Sequence, residues 1–310
     1  MPDLADAERI LRARLGPALR VQFPIAPLTT FRIGGPAALF VEAEDDIALE
    51  AVGDAAAASG VPVAVIGKGS NMLVADAGFP GIVVRLGRRF RWTGRDGDRL
   101  TAGGAMPLPA LAGVAMRHRL SGLEFGVAIP ASLGGAVKMN AGAHGRSMSD
   151  VVERIEVHAL TVEGGRRWLS AAEAGFAYRR SQLPDGAIVV GATARLAAAG
   201  EEEIRAQMEE AREWRRRTQP LAEPNCGSVF KNPEGDHAAR LIESSGAKGL
   251  RVGGARVSEK HANFIVADTG ASAADVWTLI GQVRSKVESQ AGVLLETEVE
   301  LMGAVRDADD

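Results

Sequence analysis

The chain has 310 residues, more than one typical domain, and 46% apolar content is enough for two or three real cores. A formal net charge of −3 leaves no basic surplus for a nucleic-acid polyanion. The apolar runs stop far short of a membrane span, Met1 to Leu15 lacks a signal-peptide core, and the single cysteine excludes an internal disulfide and suits a reducing cytosol.

From the N-terminus, Met1 to Leu15 sets acids and arginines at helical spacing. Asp45 or Asp46 caps a helix that runs to Ser59 and stops at Gly60, and Pro62 to Ile66 follows as a strand. Gly67-Lys68-Gly69-Ser70-Asn71 then turns the chain ahead of a strand at Gly81 to Leu86. Short strands at Arg91-Trp92 and Leu100-Thr101 flank Gly94 to Gly97, and Pro107 starts a helix ending near Arg119. Arg154 to Leu160 and Arg166 to Leu169 alternate around Glu163-Gly164-Gly165, a hairpin signal, and Ala187 to Leu196 reads as a buried strand. A charged helix, Glu201 to Arg217, marks a shift in composition. It leads to a loop at Ser228, a helix near Asp236 to Ser244, a strand at Asn263 to Val266, a helix from Ser272 to Gln290 and a last strand, Val293 to Leu301. Mixed strands and helices in three blocks predict an α+β chain divided at 1–86, 87–199 and 200–310.

Three segments carry chemistry. Pro224-Asn225-Cys226-Gly227-Ser228-Val229-Phe230-Lys231-Asn232-Pro233 puts a hydroxyl, a cation and a carboxamide within five residues, on a turn loosened by Gly227. Lys231 and Asn232 suit a phosphate or carboxylate. Val65-Ile66-Gly67-Lys68-Gly69-Ser70-Asn71 lacks the third glycine and helix start of a Rossmann fingerprint, and also the P-loop spacing. Its successive N–H groups still suit an anion nest, with a plain tight turn as the bland alternative. In Gly126 to Gly145, Ser132 reads as an N-cap after Ile129-Pro130, and Gly134-Gly135 allow a close approach. The helix breaks at Asn140, and the small residues of Ala141 to Gly145 leave room for a flat ring; close helix–sheet packing is the alternative.

Taken together, these segments resemble the UDP-N-acetylenolpyruvoylglucosamine reductase (MurB) family. The matching motifs run in family order. They are Thr29-Thr30-Phe31-Arg32-Ile33-Gly34-Gly35, Gly67 to Asn71, Ile129-Pro130 with Gly134 to Val137, Met139 to Ala143, Tyr178-Arg179-Arg180-Ser181, Gly227 to Pro233, Val257 to Val266 and Leu295 to Val299. The resemblance implies a two-lobed FAD-binding fold of the vanillyl-alcohol oxidase / p-cresol methylhydroxylase type, at 1–86 and 87–199, plus a C-terminal α+β substrate domain at 200–310. It implies non-covalent FAD, NADPH as co-substrate, UDP-N-acetylglucosamine enolpyruvate as substrate, a cytoplasmic setting, no metal and no obligate protein partner.

By the same match, Ile66, Gly67, Lys68, Gly69, Ser70, Asn71, Met72, Ile129, Pro130, Ser132, Gly134, Gly135, Asn140, Ala141 and Gly142 hold the flavin. Tyr178, Lys231 and Asn232 contact substrate, and Arg179, Ser228 and Glu298 are catalytic. Ala131 stands where the family often has Gly, and His144 where Tyr is frequent; neither change removes a catalytic group. No extra aromatic segment lies between Leu183 and Glu201, so the chain resembles the shorter subtype without a tyrosine loop.

Reducing an enolpyruvyl ether delivers hydride to the methylene carbon and a proton to the carbon bearing the carboxylate, through an enolate-like intermediate. A guanidinium suits the carboxylate, an acid can donate to the growing charge, and an alcohol can protonate so basic a carbon. Glu296, Glu298 and Glu300 lie on one face of the last strand and periodicity cannot choose among them; the family pattern selects Glu298. Cys226 reads as a packed small residue, His261 as a satisfied core or interface histidine, and Trp214 to Arg217 as neutralising a helix C-terminus, with a diphosphate contact as the alternative. Two other functions compete. A flavin oxidase of the same fold has no need of Ser228, and a non-catalytic nucleotide-sugar-binding paralogue would have lost Ser228, Arg179 or Glu298.

Overall fold

The computed structural model describes residues 2–161 and 165–305. The chain is α+β and its described residues gather into two compact units. The first comprises Met1–Val21, Leu39–Lys68 and Gly81–Arg215; the second comprises Gln22–Ala38, Gly69–Pro80 and Arg216–Asp310.

Two apolar clusters build the first unit. One joins the helices Leu4–Leu15 and Asp46–Ser59 to a four-stranded sheet ordered Leu19–Pro24, Pro36–Ala43, Phe79–Leu86, Val63–Val65. The second helix starts where Asp45 accepts the N–H of Ala48, and ends at Gly60 in the left-handed conformation only glycine adopts at no cost. The last two strands run parallel, Val65 opposite Val84, and the Ile66 N–H continues the ladder by donating to the Val84 carbonyl. The other cluster underlies a five-stranded antiparallel sheet ordered Arg166–Ser170, Val152–Ala159, Ala187–Arg195, Arg99–Gly103, Thr93–Asp96. The expected hairpin pairs Arg154 with Ser170 through His158 with Arg166; Glu163 and Gly164 of its turn lie outside the described residues. Against this sheet packs the short helix Leu133–Lys138, whose start is capped by Ser132 accepting from Gly135.

The second unit has its own core. Phe31, Ile33 and Leu73 pack with Val229, Phe230, Leu295 and Val299 and with the buried stripe Val276, Leu279, Ile280, Val283 and Val287 of the helix Ala273–Ala291. That helix opens on a capping box from Ser272 and Asp275, and Asp76 accepts the N–H groups of Ala273 and Ala274 as well.

Several expectations change. The strand expected at Arg91-Trp92 lies at Thr93–Asp96, so Gly94 is inside it and the turn falls at Gly97-Asp98, because a short helical turn, Arg88–Phe90, takes up the chain just before. The regular strand from Val293 to Leu301 is reduced to Glu300–Met302, which pairs in parallel with Met72–Val74. Upstream the chain makes only isolated antiparallel contacts, so Leu294 is exposed while Leu295 and Val299 are buried. The strand near Asn263 begins at Ile265, because the Asn263 side chain is engaged across the core. Strands at Leu19–Pro24, Pro36–Ala43 and Met72–Val74 add to the expected elements; the apolar run Pro36 to Val41 is the sequence signal for the second. Among the described residues, no helix is long and apolar enough to cross a membrane.

Candidate active site

In the second unit the Ser228 loop is tied down at every step. Asn225 donates its N–H to the Thr30 carbonyl and accepts from the Thr30 hydroxyl at 2.6 Å, while its own side chain accepts from Gly227. Gly227 then takes φ of 81°, which a side chain would strain. Cys226, Val229 and Phe230 are buried and anchor the loop, leaving Ser228 half-buried between them. Asn263 grips Phe230 twice, accepting its N–H at 2.9 Å and donating to its carbonyl at 2.8 Å. No described residue hydrogen-bonds the Ser228 hydroxyl.

Directly opposite runs the segment bearing the three glutamates. The Val229 carbonyl accepts from the N–H of Glu298 at 2.7 Å, Phe230 bridges Thr297, and the Lys231 N–H donates to the Glu296 carbonyl at 2.9 Å. This short antiparallel register sets Glu298 beside the Ser228 turn and separates three acids that periodicity left equal. Glu298 is half-buried; Glu296 is exposed and its carboxylate meets the Lys231 ammonium at 3.1 Å; Glu300 is exposed in the terminal strand. Glu298 also lies near Cys226. Burial pushes the Cys226 thiol up to about 12, and the Glu298 charge adds to that shift. Asn71 donates from its side chain to the Glu298 carbonyl, so part of the glycine-rich turn joins the same group. Asn232 accepts the N–H of Ala238 at the start of helix Ala238–Ser244.

In the first unit, Arg179 sits on a tight turn where Ala177 and Arg180 exchange backbone hydrogen bonds. Its φ of 56° is unusual for a bulky residue. Its guanidinium donates to the Gly142 carbonyl at 3.1 Å, and the neighbouring Tyr178 ring is 53% exposed. Asn140, buried at φ 41°, donates to the Ala177 carbonyl, and Ser181 donates to that of Lys138. The small-residue segment and the Tyr178-Arg179 turn are therefore one assembly. Within it Gly134 has a packing role: its N–H goes to Gly104, and an added Cβ would lie 2.9 Å from the Val189 carbonyl oxygen. Gly135, by contrast, is exposed. Ile129 and Pro130 precede this helix, Ala141 donates its N–H to Ala136, and His144 meets Trp214 edge-on at 5.0 Å.

The turn after strand Val63–Val65 has the donor set a dinucleotide's phosphates need. No described residue accepts from the backbone N–H of Gly67, Lys68, Gly69, Ser70 or Asn71. A Cβ on Gly67 would come within 2.5 Å of the Ser132 hydroxyl, which would have to turn away from its capping position. Lys68 supplies a cation whose pKa is lowered by burial and by Arg91 and Arg85. Ile66 is buried as part of the supporting core, and Met72 opens the next strand. The residues present fit FAD. Among the described residues, no group of three His, Cys, Asp or Glu is placed to hold a metal ion.

Comparison with known proteins defines the class first. Residues 37–175 match the FAD binding domain family, and with the α+β fold this makes the chain an FAD-dependent oxidoreductase. Residues 219–302 match the C-terminal domain of UDP-N-acetylenolpyruvoylglucosamine reductase. The reductase of that name from Heliobacterium modesticaldum is 48% identical over 284 residues, covering 91% of this chain and 90% of the relative. That from Anaeromyxobacter dehalogenans is 46% identical over 296 residues, covering 96% and 89%. The crystal structure of the reductase from Thermus caldophilus superposes with a TM-score of 0.79 at 38% identity, covering 92% of this chain and all of that one. The chain belongs to the UDP-N-acetylenolpyruvoylglucosamine reductase family, and its fold is the one expected from the sequence: an FAD-binding portion followed by a C-terminal substrate domain.

Proposed function

We propose that this chain reduces UDP-N-acetylglucosamine enolpyruvate to UDP-N-acetylmuramate with NADPH, in the cytoplasm, as a step of peptidoglycan precursor synthesis. Bound FAD supplies the two-electron chemistry between NADPH and the enolpyruvyl double bond. The flavin is held by Ile66 to Met72 and by Ile129, Pro130, Ser132, Gly134, Gly135 and Asn140 to Gly142. The backbone donors of Gly67 to Asn71 and the Lys68 charge meet the phosphates, while Gly134 supports the helix against the sheet. The division at 1–86, 87–199 and 200–310 is part of this proposal: each block supplies most of one apolar cluster, although Phe31, Ile33 and Leu73 join the C-terminal one, Ile188 and Val190 the N-terminal one, and Ile204, Met208 and Ala211 the middle one.

The observation that carries the catalytic reading is the Val229–Glu298 register. It supports pairing an uncommitted, half-buried hydroxyl with a half-buried acid on rigid backbone. Ser228 gives its proton to the carbon bearing the carboxylate. Glu298 donates a hydrogen bond to the charge that grows there, a task for a preorganised acid. Arg179 neutralises the substrate carboxylate with a fixed fork of donors. Tyr178, Lys231 and Asn232 take the nucleotide-sugar part. Lys231 must exchange its Glu296 partner for a substrate oxygen, which is inexpensive because an exposed ion pair is worth about 0–1 kcal/mol.

The direct test is optical. Purified protein should be yellow, bleach with NADPH and recolour on adding the enolpyruvyl nucleotide sugar. A colourless protein that folds but takes up no FAD, or a bleached one recoloured only by oxygen, contradicts the proposal.

A further inference from the structure

Arg32 is a long charged side chain on a left-handed backbone, φ 58°, a conformation that costs about 1 kcal/mol or more outside glycine. Two other features single it out. Its neighbours Phe31 and Ile33 are buried in the core of the second unit, so Arg32 alone of the three points outward; it is exposed, and no described residue pairs with its guanidinium. The turn that carries it is also clamped from both sides. Thr29 accepts the Arg32 N–H at 3.0 Å, Thr30 donates its N–H to the Gly69 carbonyl, and two hydrogen bonds join Thr30 to Asn225, the Asn225 N–H donating to the Thr30 carbonyl and the Thr30 hydroxyl to the Asn225 carbonyl. Downstream, a Cβ on Gly34 would lie 2.5 Å from that of Val74, so the chain leaves the turn packed without slack. A rigid, strained turn thus presents an unpartnered cation between the loop of Gly69 to Asn71 and the loop of Ser228.

We propose that Arg32 is a further binding residue of this site, its guanidinium taking the oxygens of a nucleotide diphosphate. A planar fork of donors on a fixed backbone matches phosphate oxygens better than a mobile ammonium does. Strain kept at an exposed position, where glycine would relax it, is the signature of a side chain retained for its contacts. The inference rests on the functional reading above, which supplies two diphosphates: that of FAD and that of the nucleotide sugar.

Arg32→Gly and Arg32→Lys separate the cases. Flavin-free protein is titrated with FAD by fluorescence quenching, and flavin-loaded protein with UDP by the change in flavin absorbance; both variants are also melted. Arg32→Gly is expected to weaken one titration roughly tenfold, the size of a lost charge-assisted hydrogen bond, while its Tm holds or rises by about 2 °C as the strain is released. Arg32→Lys is expected to recover part of the affinity. The titration that moves names the diphosphate. Unchanged affinity for both ligands in Arg32→Gly overturns the inference, and so does a loss accompanied by lower melting in both variants, which would make the side chain a support of the fold. A wild-type chain that takes up neither ligand sinks the functional reading itself.

Discussion

Three acids within five residues, Glu296, Glu298 and Glu300, have the same chemistry and different surroundings. Glu298 is half-buried in register with Val229; Glu296 is exposed and paired with Lys231; Glu300 is exposed beside Met72. Glu298→Gln should lose about 10²–10³ in kcat, the usual cost of removing one preorganised donor. Glu296→Gln and Glu300→Gln should stay within a few-fold, and all three should melt alike, since surface changes usually shift stability by less than about 0.5 kcal/mol. Steady-state rates with saturating FAD check this; a dead Glu296→Gln beside a near-normal Glu298→Gln contradicts it. Cys226 offers a second test at this scale. Its buried thiol keeps its proton up to about 12 in the folded chain but ionises near 9.0 once exposed. The unfolded state therefore binds fewer protons above the lower value, and the thiol's contribution to stability is present below it and lost as pH rises towards 12. Native protein should resist iodoacetamide at pH 8, and Cys226→Ala should flatten the fall in Tm between pH 9 and 11. Rapid alkylation of the native chain would contradict this burial.

Elements explain why part of the site was legible and part was not. Caps and glycine stops announce Asp46–Ser59 and Ala273–Ala291 because local chemistry ends them. The strand Glu300–Met302 owes its length to a parallel partner 228 positions earlier in the chain, Met72–Val74, and no local signal encodes that. The same remoteness decides Glu298: its role was taken from a family pattern because the register with Val229 is invisible to periodicity. The glycine motifs were legible as motifs but not as roles, since Gly134 packs on Val189 while Gly67 faces Ser132. Glycine substitutions should reflect that difference. Gly69, at φ 59° and without room for a Cβ beside the Leu28 carbonyl, should tolerate no side chain, so Gly69→Val should lose FAD and melt lower. Exposed Gly135, where a Cβ would lie 3.4 Å from the Ser132 hydroxyl, should accept alanine with flavin content intact. Flavin-to-protein absorbance ratios with Tm values decide; full flavin in Gly69→Val or none in Gly135→Ala contradicts the assignment.

At the scale of the whole molecule, composition and charge gave no sign of a nucleic-acid partner and pointed to two or three cores, and the described residues form three apolar clusters in two compact units. Its α+β class followed from the mixture of elements, but the intervening of Gly69–Pro80 in the second unit, amid residues of the first, could not be read from chain order. The central claim is that the Ser228 hydroxyl is the proton donor to carbon and acts after NADPH has reacted. Stopped-flow absorbance of Ser228→Ala, with the two half-reactions followed separately, tests it most directly. Bleaching of the flavin by NADPH should proceed at close to the wild-type rate, while recolouring by the enolpyruvyl nucleotide sugar should collapse by 10² or more, the scale of a lost general acid of about 10²–10⁴. Equal slowing of both half-reactions, or recolouring at the wild-type rate, would contradict it.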